Sequence, residues 1–358
     1  MKAILLAGTL GLVGTLLGTR WAISILARRG FGQLIRNDGP TSHHTKRGTP
    51  TMGGAVIIVA VVFAYFAAEA LTETKPSISA ILLLGLFVGL GTVGFVDDYI
   101  KIFRQRSLGL RSKAKFTGQT VIAVAFGWLS LQFPDSRGQS PASPAVSFIR
   151  VIDWKLPTVI IVLWVLVMIV GTSNAVNLTD GLDGLATGAT MMVFAAYTLV
   201  EIWQNNQYCK LKPGPQCYND IRDPLDLAVV AAAITGACFG FLWWNANPAR
   251  IIMGDTGSLS LGGAMAGFAI MTRTELLLVI LGGLFAVVTL SVILQVGFFK
   301  LTKGRRLFRM APLHHHFELL GWQEVTIVIR FWLICGICVA LGLGVFYAEW
   351  VVGSGAGR

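Results

Sequence analysis

Ten times along this chain, 17 to 24 consecutive residues pass without an acidic or basic side chain: 3–19, 48–68, 76–96, 116–134, 156–179, 184–200, 227–249, 256–272, 276–299 and 331–348. About 20 such residues carry a helix across the hydrocarbon core of a bilayer. Lipid offers no partner to backbone N–H and C=O groups, so a spanning segment must be a helix or belong to a closed barrel. Barrel strands are short and alternate in polarity, whereas these runs are continuous, which selects helices. Only 13% of the residues are charged, about half the usual share of a soluble domain, and the mean hydropathy is +0.68. The expected fold is therefore an all-α polytopic integral membrane protein with ten transmembrane helices. No polar stretch is long enough for a second domain, so residues 1–358 read as one transmembrane unit without internal repeats. The first run follows Lys2, but Arg20 stands where a leader cleavage site would be expected, so it reads as a retained span.

Orientation follows from lysine and arginine. Ten spans place loops 20–47, 97–115, 174–183, 250–255 and 300–324 on one side, with 18 Lys and Arg, and the termini with the remaining loops on the other, with ten. The richer side is expected to be cytoplasmic and both termini outside. Of the five cysteines, Cys238, Cys335 and Cys338 lie within spans and read as apolar packers. Cys209 and Cys217 share an outer loop whose compartment permits a disulfide.

Four polar clusters all fall on the lysine-rich side: Asp97 and Asp98 after the third span, Ser173 to Ala186 after the fifth, Asn245 to Ser258 after the seventh, and Met310 to Trp322 after the ninth. Each cluster alone is ordinary helix-end chemistry. Together they hold Asp97, Asp98, Asp180, Asp183 and Asp255, five of the eight acids on that side. Carboxylates near membrane depth are costly and need compensation. Oxygen donors without a Cys or H-E-x-x-H set favour Mg²⁺ or Mn²⁺ over zinc. Neighbouring helical residues point about 100° apart, so Asp97 and Asp98 are expected to divide their tasks, one toward a metal or nucleophile and the other toward Lys101. Asn174, Asn177, Asp180 and Asp183 recur every three residues, and a break at Gly181 would leave two polar rims. The same side carries Lys46, Arg47, Lys101, Lys113, Lys115 and the basic run 300–309, and lysines beside a carboxylate and metal cluster suit a polyphosphate substrate. Three consecutive histidines, His314, His315 and His316, do not readily ligate one ion and read as a hydrogen-bonding or phosphate-contacting loop.

"SHHTKRGTPTMGG" (Ser42–Gly54), "GFVDDYIK" (Gly94–Lys101), "NAVNLTDGLDGLA" (Asn174–Ala186), "FLWWNANPARIIMGDTGS" (Phe241–Ser258) and "APLHHHFELLGW" (Ala311–Trp322) occur in one order. In that order they resemble the successive signatures of the phospho-N-acetylmuramoyl-pentapeptide transferases, the translocase I family. The resemblance covers essentially the whole chain. It implies transfer of phospho-MurNAc-pentapeptide from UDP-MurNAc-pentapeptide to undecaprenyl phosphate, with Mg²⁺ (or Mn²⁺), giving UMP and lipid I of peptidoglycan synthesis. It further implies a bacterial plasma-membrane enzyme working at the cytoplasmic face, with the lipid bilayer as partner, no nucleic acid, and a homodimer left open. By resemblance Asp255 ligates the metal, Asp97 deprotonates or orients the lipid phosphate with Asp98 next in line, and Asn177, Asp180, Asp183 and Asn245 surround nucleotide and metal. Lys46, Lys101 and Lys115 match the family's cationic positions, and His314, His315 and His316 its histidine loop. Ile252 departs from a phenylalanine frequent in the family, which removes a ring that could stack on uracil. A polyprenyl-phosphate GlcNAc-1-phosphate transferase shares the aspartates but not the histidine stretch. A prenyltransferase would want D-D-x-x-D motifs, and a transporter would bind near mid-membrane. No P-loop or dinucleotide fingerprint is present.

Overall fold

A computed structural model describes residues 1–28, 48–104, 109–148, 151–209 and 221–353. Each of the ten apolar runs contributes a helix, but the helices do not share the runs' boundaries. The first is α1 (Lys2–Arg28), which continues past Arg20. The second run begins as a loop, and α2 (Gly54–Leu71) starts six residues later. There Ile252 N donates to Pro50 O at 2.8 Å while Gly53 N donates to Ile252 O at 2.9 Å. Next come α3 (Ile78–Phe103), started by the Ser77 hydroxyl accepting from Ala80 N, and α4 (Ser112–Leu129). Four long helices follow: α5 (Thr158–Thr179), α6 (Leu185–Asn206), α7 (Pro224–Asn245) and α8 (Gly254–Met271). The ninth run is broken at a glycine pair into α9 (Leu278–Leu281) and α10 (Gly283–Leu301), since glycine weakens a continuous helix. The chain closes with the short α11 (Leu313–Glu318) and α12 (Glu324–Gly353).

Eight of these helices are long and apolar enough to cross a membrane: α1, α2, α3, α5, α6, α7, α10 and α12. The protein is thus an all-α polytopic membrane protein in its spanning part. Helix α8 falls outside that set because of its glycines and serines, yet every residue from Thr256 to Met271 is buried. It packs chiefly between α3 and α5. A helix enclosed by other helices needs small residues for close approach more than it needs lipophilicity. Elsewhere Thr15 Oγ1 donates to Ala237 O at 2.8 Å, fastening α1 along α7.

The strands described are outside the all-α expectation. Between α4 and α5 an antiparallel hairpin pairs β1 (Ala145–Ser147) with β2 (Val151–Lys155). Beyond the spans, irregular backbone can find partners, and here it does. Buried Arg273 donates to Ser140 O and Pro141 O at 3.0 Å, and the Glu275 carboxylate accepts from Ser147 N at 3.0 Å. This cap closes one end of the bundle, and the four polar clusters lie at the other. Cys209 is disulfide-bonded, while Cys217 lies outside the described residues.

Candidate active site

Helix α3 brings Asp97 and Asp98 to its last turns, both buried at 3% and 2% exposure. Depth at this point depends on Gly94. A Cβ there would stand 2.6 Å from Thr256 N and closer still to the Asp255 carbonyl, so only glycine lets α3 touch the start of α8. The two aspartates then diverge as their spacing requires. Asp98 Oδ2 accepts from Thr256 N at 2.9 Å and Thr256 Oγ1 at 2.7 Å, and Oδ1 from Asp255 N at 3.2 Å. It thus caps α8 from another helix, satisfying first-turn amides that have no partner of their own. Gly254, at φ 76°, makes the turn into α8, and a Cβ there would approach Asp98 Oδ2 to 2.6 Å. Asp97 is differently engaged: Oδ1 accepts from Leu110 N at 2.8 Å and Oδ2 meets Lys101 Nζ at 2.5 Å.

Asp255 is the convergence point. Its Oδ2 takes Lys101 Nζ and Lys115 Nζ, each at 2.8 Å, while Asn177 Nδ2 donates to its Oδ1 at 2.6 Å and to Ser258 Oγ at 2.8 Å. Asp97, Asp98 and Asp255 each offer an oxygen within 4.8 Å of the others. This set is able to hold a metal ion, and two ammonium groups do not balance three carboxylates. Its donors are hard oxygens, of the kind Mg²⁺ and Mn²⁺ prefer.

The turn between α5 and α6 runs beside this cluster. Asp180 caps the end of α5, and burial, then the negative charges of Asp255, Asp98 and Asp183, pushes its carboxyl up to about 8. The helix ends at Thr179, with Gly184 in the left-handed region at φ 77°, so the break comes at a whole turn and not at Gly181 alone. Asp183 turns from the triad to the next loop, where its Oδ2 accepts from Ala249 N at 3.0 Å and Asn247 Nδ2 at 3.3 Å. Asn245 is likewise bound into the scaffold, accepting from Thr187 Oγ1 at 2.7 Å and donating to Ile251 O at 2.9 Å.

The three histidines have three environments. His314 is fully buried against Gly181, His315 Nδ1 lies 2.6 Å from Glu318 Oε2, and His316 Nδ1 accepts from Arg309 N at 3.1 Å. Of the residues singled out in the sequence, Asp97, Asp98, Lys101, Lys115, Asn177 and Asp255 meet in one cluster, with Asp180 alongside. Lys46 lies outside the described residues. Sequence reasoning passed over Thr256 and Ser258, although both stand in the quoted "GDTGS" stretch, and over Glu324, whose Oε1 accepts from Asp183 N at 2.8 Å. For Glu324 the only signal was an acid at a helix start.

Comparison with known proteins bears on this arrangement. Residues 80–273, from α3 to α8, match the model of glycosyl transferase family 4, and residues 46–58 match phospho-N-acetylmuramoyl-pentapeptide-transferase signature 1. A relative from Nocardioides is 67% identical over 364 aligned residues, covering 99% of this chain and all of its own. One from Cutibacterium acnes is 62% identical, with 99% and 100% covered, and one from Streptomyces avermitilis 58%, with 98% and 99% covered. All three bear the name phospho-N-acetylmuramoyl-pentapeptide-transferase.

Proposed function

Because this chain belongs to the phospho-N-acetylmuramoyl-pentapeptide-transferase family, we infer that it transfers phospho-MurNAc-pentapeptide from UDP-MurNAc-pentapeptide to undecaprenyl phosphate, forming lipid I and releasing UMP. The observation that carries the chemistry is the meeting of three carboxylates and two lysines at the α3–α8 contact. Phosphoryl transfer asks a protein for alignment and charge neutralisation more than for covalent chemistry.

In this reading Asp255, with the neighbouring carboxylates, holds Mg²⁺, which when bound would screen the charge of the diphosphate. Lys101 and Lys115 hold Asp255 and add positive charge where the phosphates approach. Asp97 orients the acceptor phosphate or takes its proton. The distribution of hydrogen bonds favours Asp97 over Asp98, because Asp98 is already committed to Asp255 N and to Thr256. A lipid phosphate oxygen attacks the sugar-bearing phosphorus directly; one P–O bond forms, the phosphoanhydride bond breaks, and UMP leaves with the electron pair. Asn177 and Asp180 line the same cluster, and Asp183 and Asn245 act through the loop that carries Ala249 and Ile251.

Ten spans, counting α4, α8 and the α9–α10 pair, with both termini outside and the cluster at the cytoplasmic face, make the most consistent membrane arrangement. Lysine and arginine distribution supports it, as does the gathering of all four polar clusters at one end. The test is Mg²⁺-dependent UMP release by the purified protein. Asp255→Asn and Asp97→Asn should each lower the rate by about 10²-fold or more, and a chelator should abolish it reversibly. Wild-type rates in both variants would refute the assignment.

A further inference from the structure

We propose that Gln119 is a positioning residue: its buried carboxamide locks α4 to α5 in one register, and that register delivers Lys115 and Asn177 to the two oxygens of Asp255. The inference rests on the reaction inferred above and adds to it a residue that acts through others.

Gln119 lies in the apolar part of α4 with 2% of its surface exposed, and both ends of its amide are engaged. Nε2 donates to Ser173 Oγ at 3.1 Å, and Oε1 accepts from Asn174 Nδ2 at 3.3 Å. Residues three or four apart share a helix face, so each end of this bridge is one turn from a group bound to Asp255. On α4, Lys115 stands four residues before Gln119, and its Nζ meets Asp255 Oδ2 at 2.8 Å. On α5, Asn177 stands four residues after Ser173 and three after Asn174, and its Nδ2 donates to Asp255 Oδ1 at 2.6 Å. The two helices thus form a ring that closes at Gln119 on one side and at Asp255 on the other. Helix α8, which carries Asp255, presses on the same point of α5: a Cβ on Gly262 would stand 2.6 Å from Ser173 Cα and from Thr172 O.

Among the described residues, Lys115 and Gln119 are the α4 side chains that hydrogen-bond another helix. Around them α4 meets its neighbours through apolar contacts such as Gly118 against Val93 and Gly127 against Val165. Apolar burial is non-directional, so the amide bridge supplies the direction. A purely structural role leaves the glutamine less to do. Without Gln119, Ser173 Oγ would keep Val170 O at 3.1 Å and Asn174 Nδ2 the same carbonyl at 2.8 Å, so both groups retain a partner and escape the cost of a stranded polar atom. A leucine would fill the space, but it would not fix the register.

The experiment uses the full-length protein in detergent. Gln119→Leu should lower kcat for UMP release about tenfold. It should weaken Mn²⁺ binding, read by electron paramagnetic resonance without substrate, by a similar factor, while the melting temperature stays within about 4 °C of wild type. Thr120→Val, which removes a neighbouring hydroxyl that has no partner, should change none of these. Gln119→Leu combined with Lys115→Ala should cost less than the product of the two single losses, because one arm of the ring is already gone. Wild-type kcat or wild-type Mn²⁺ affinity in Gln119→Leu would overturn the assignment, as would an equal loss in Thr120→Val or fully multiplicative losses in the double variant. A melting temperature lowered by more than about 10 °C would also overturn it, making the bridge one of stability. Absence of UMP release by the wild-type protein would instead overturn the reaction, leaving Mn²⁺ affinity to decide the positioning. A wild-type protein that also bound no Mn²⁺ would overturn both.

Discussion

Replacing Gly94 by alanine adds one methyl group at the α3–α8 contact, and the coordinates give the size of its effect. The new Cβ would lie 2.6 Å from Thr256 N and nearer to the Asp255 carbonyl, against 3.4 Å or more for an ordinary contact. Both obstacles are backbone, so no side chain can swing aside, and the helices must separate by roughly 1 Å. Overpacking of that kind costs about 1–3 kcal/mol in stability. The larger consequence concerns the site, since the same displacement pulls Asp98 from Thr256 and opens the carboxylate cluster. A misplacement of about 1 Å in a reacting constellation lowers rates by about 10²-fold. Gly85, on the same helix with nothing within 4 Å of its would-be Cβ, is the control. There alanine should be neutral, or stabilising by up to about 1 kcal/mol. Initial rates of UMP release and melting temperatures of the two purified variants test the argument. A Gly94→Ala protein as active as Gly85→Ala would refute the claim that backbone contact at this position sets the site.

Two further outcomes are expected. Glu324→Ala removes the acceptor for Asp183 N, a charge-assisted bond worth about 1.5–3 kcal/mol. Deuterium uptake by the 180–184 turn should then accelerate, and unchanged protection would dismiss the link between α12 and that turn. Burial pushes the Glu275 carboxyl up to about 7, against the opposing effects of its own backbone, Arg273 and Ser147. A carboxyl raised in the folded state contributes stability at low pH and loses it as pH rises from its ordinary value through about 7. Glu275→Gln should flatten the fall in melting temperature between about pH 4.5 and about pH 7, and an unaltered slope would contradict it.

The sequence by itself determined the apolar runs, eight of which hold helices able to cross a membrane, and the grouping of the chemistry. Whether a stretch crosses a membrane depends on the polarity of consecutive residues, so the ten runs were legible without knowing their neighbours. Parity of the spans then assigned Asp97, Asp180, Asp255 and the histidines to one side, and the 100° step between adjacent helical residues required Asp97 and Asp98 to diverge. What each residue touches was decided only by tertiary structure. Asp98 caps a helix 157 residues further along the chain, Lys101 reaches across to Asp255, and Asp183 and Asn245 turn into loop scaffolding. The likeness of three adjacent histidines concealed three separate environments. The break of the ninth run and the burial of α8 were equally hidden from a hydropathy count, for a polar-looking helix is tolerated once other helices surround it. The physical reason is one of range: insertion into lipid is set by local composition, whereas the meeting of these side chains is set by steric fit between segments distant in sequence, of which Gly94 against Asp255 is one close case at the site.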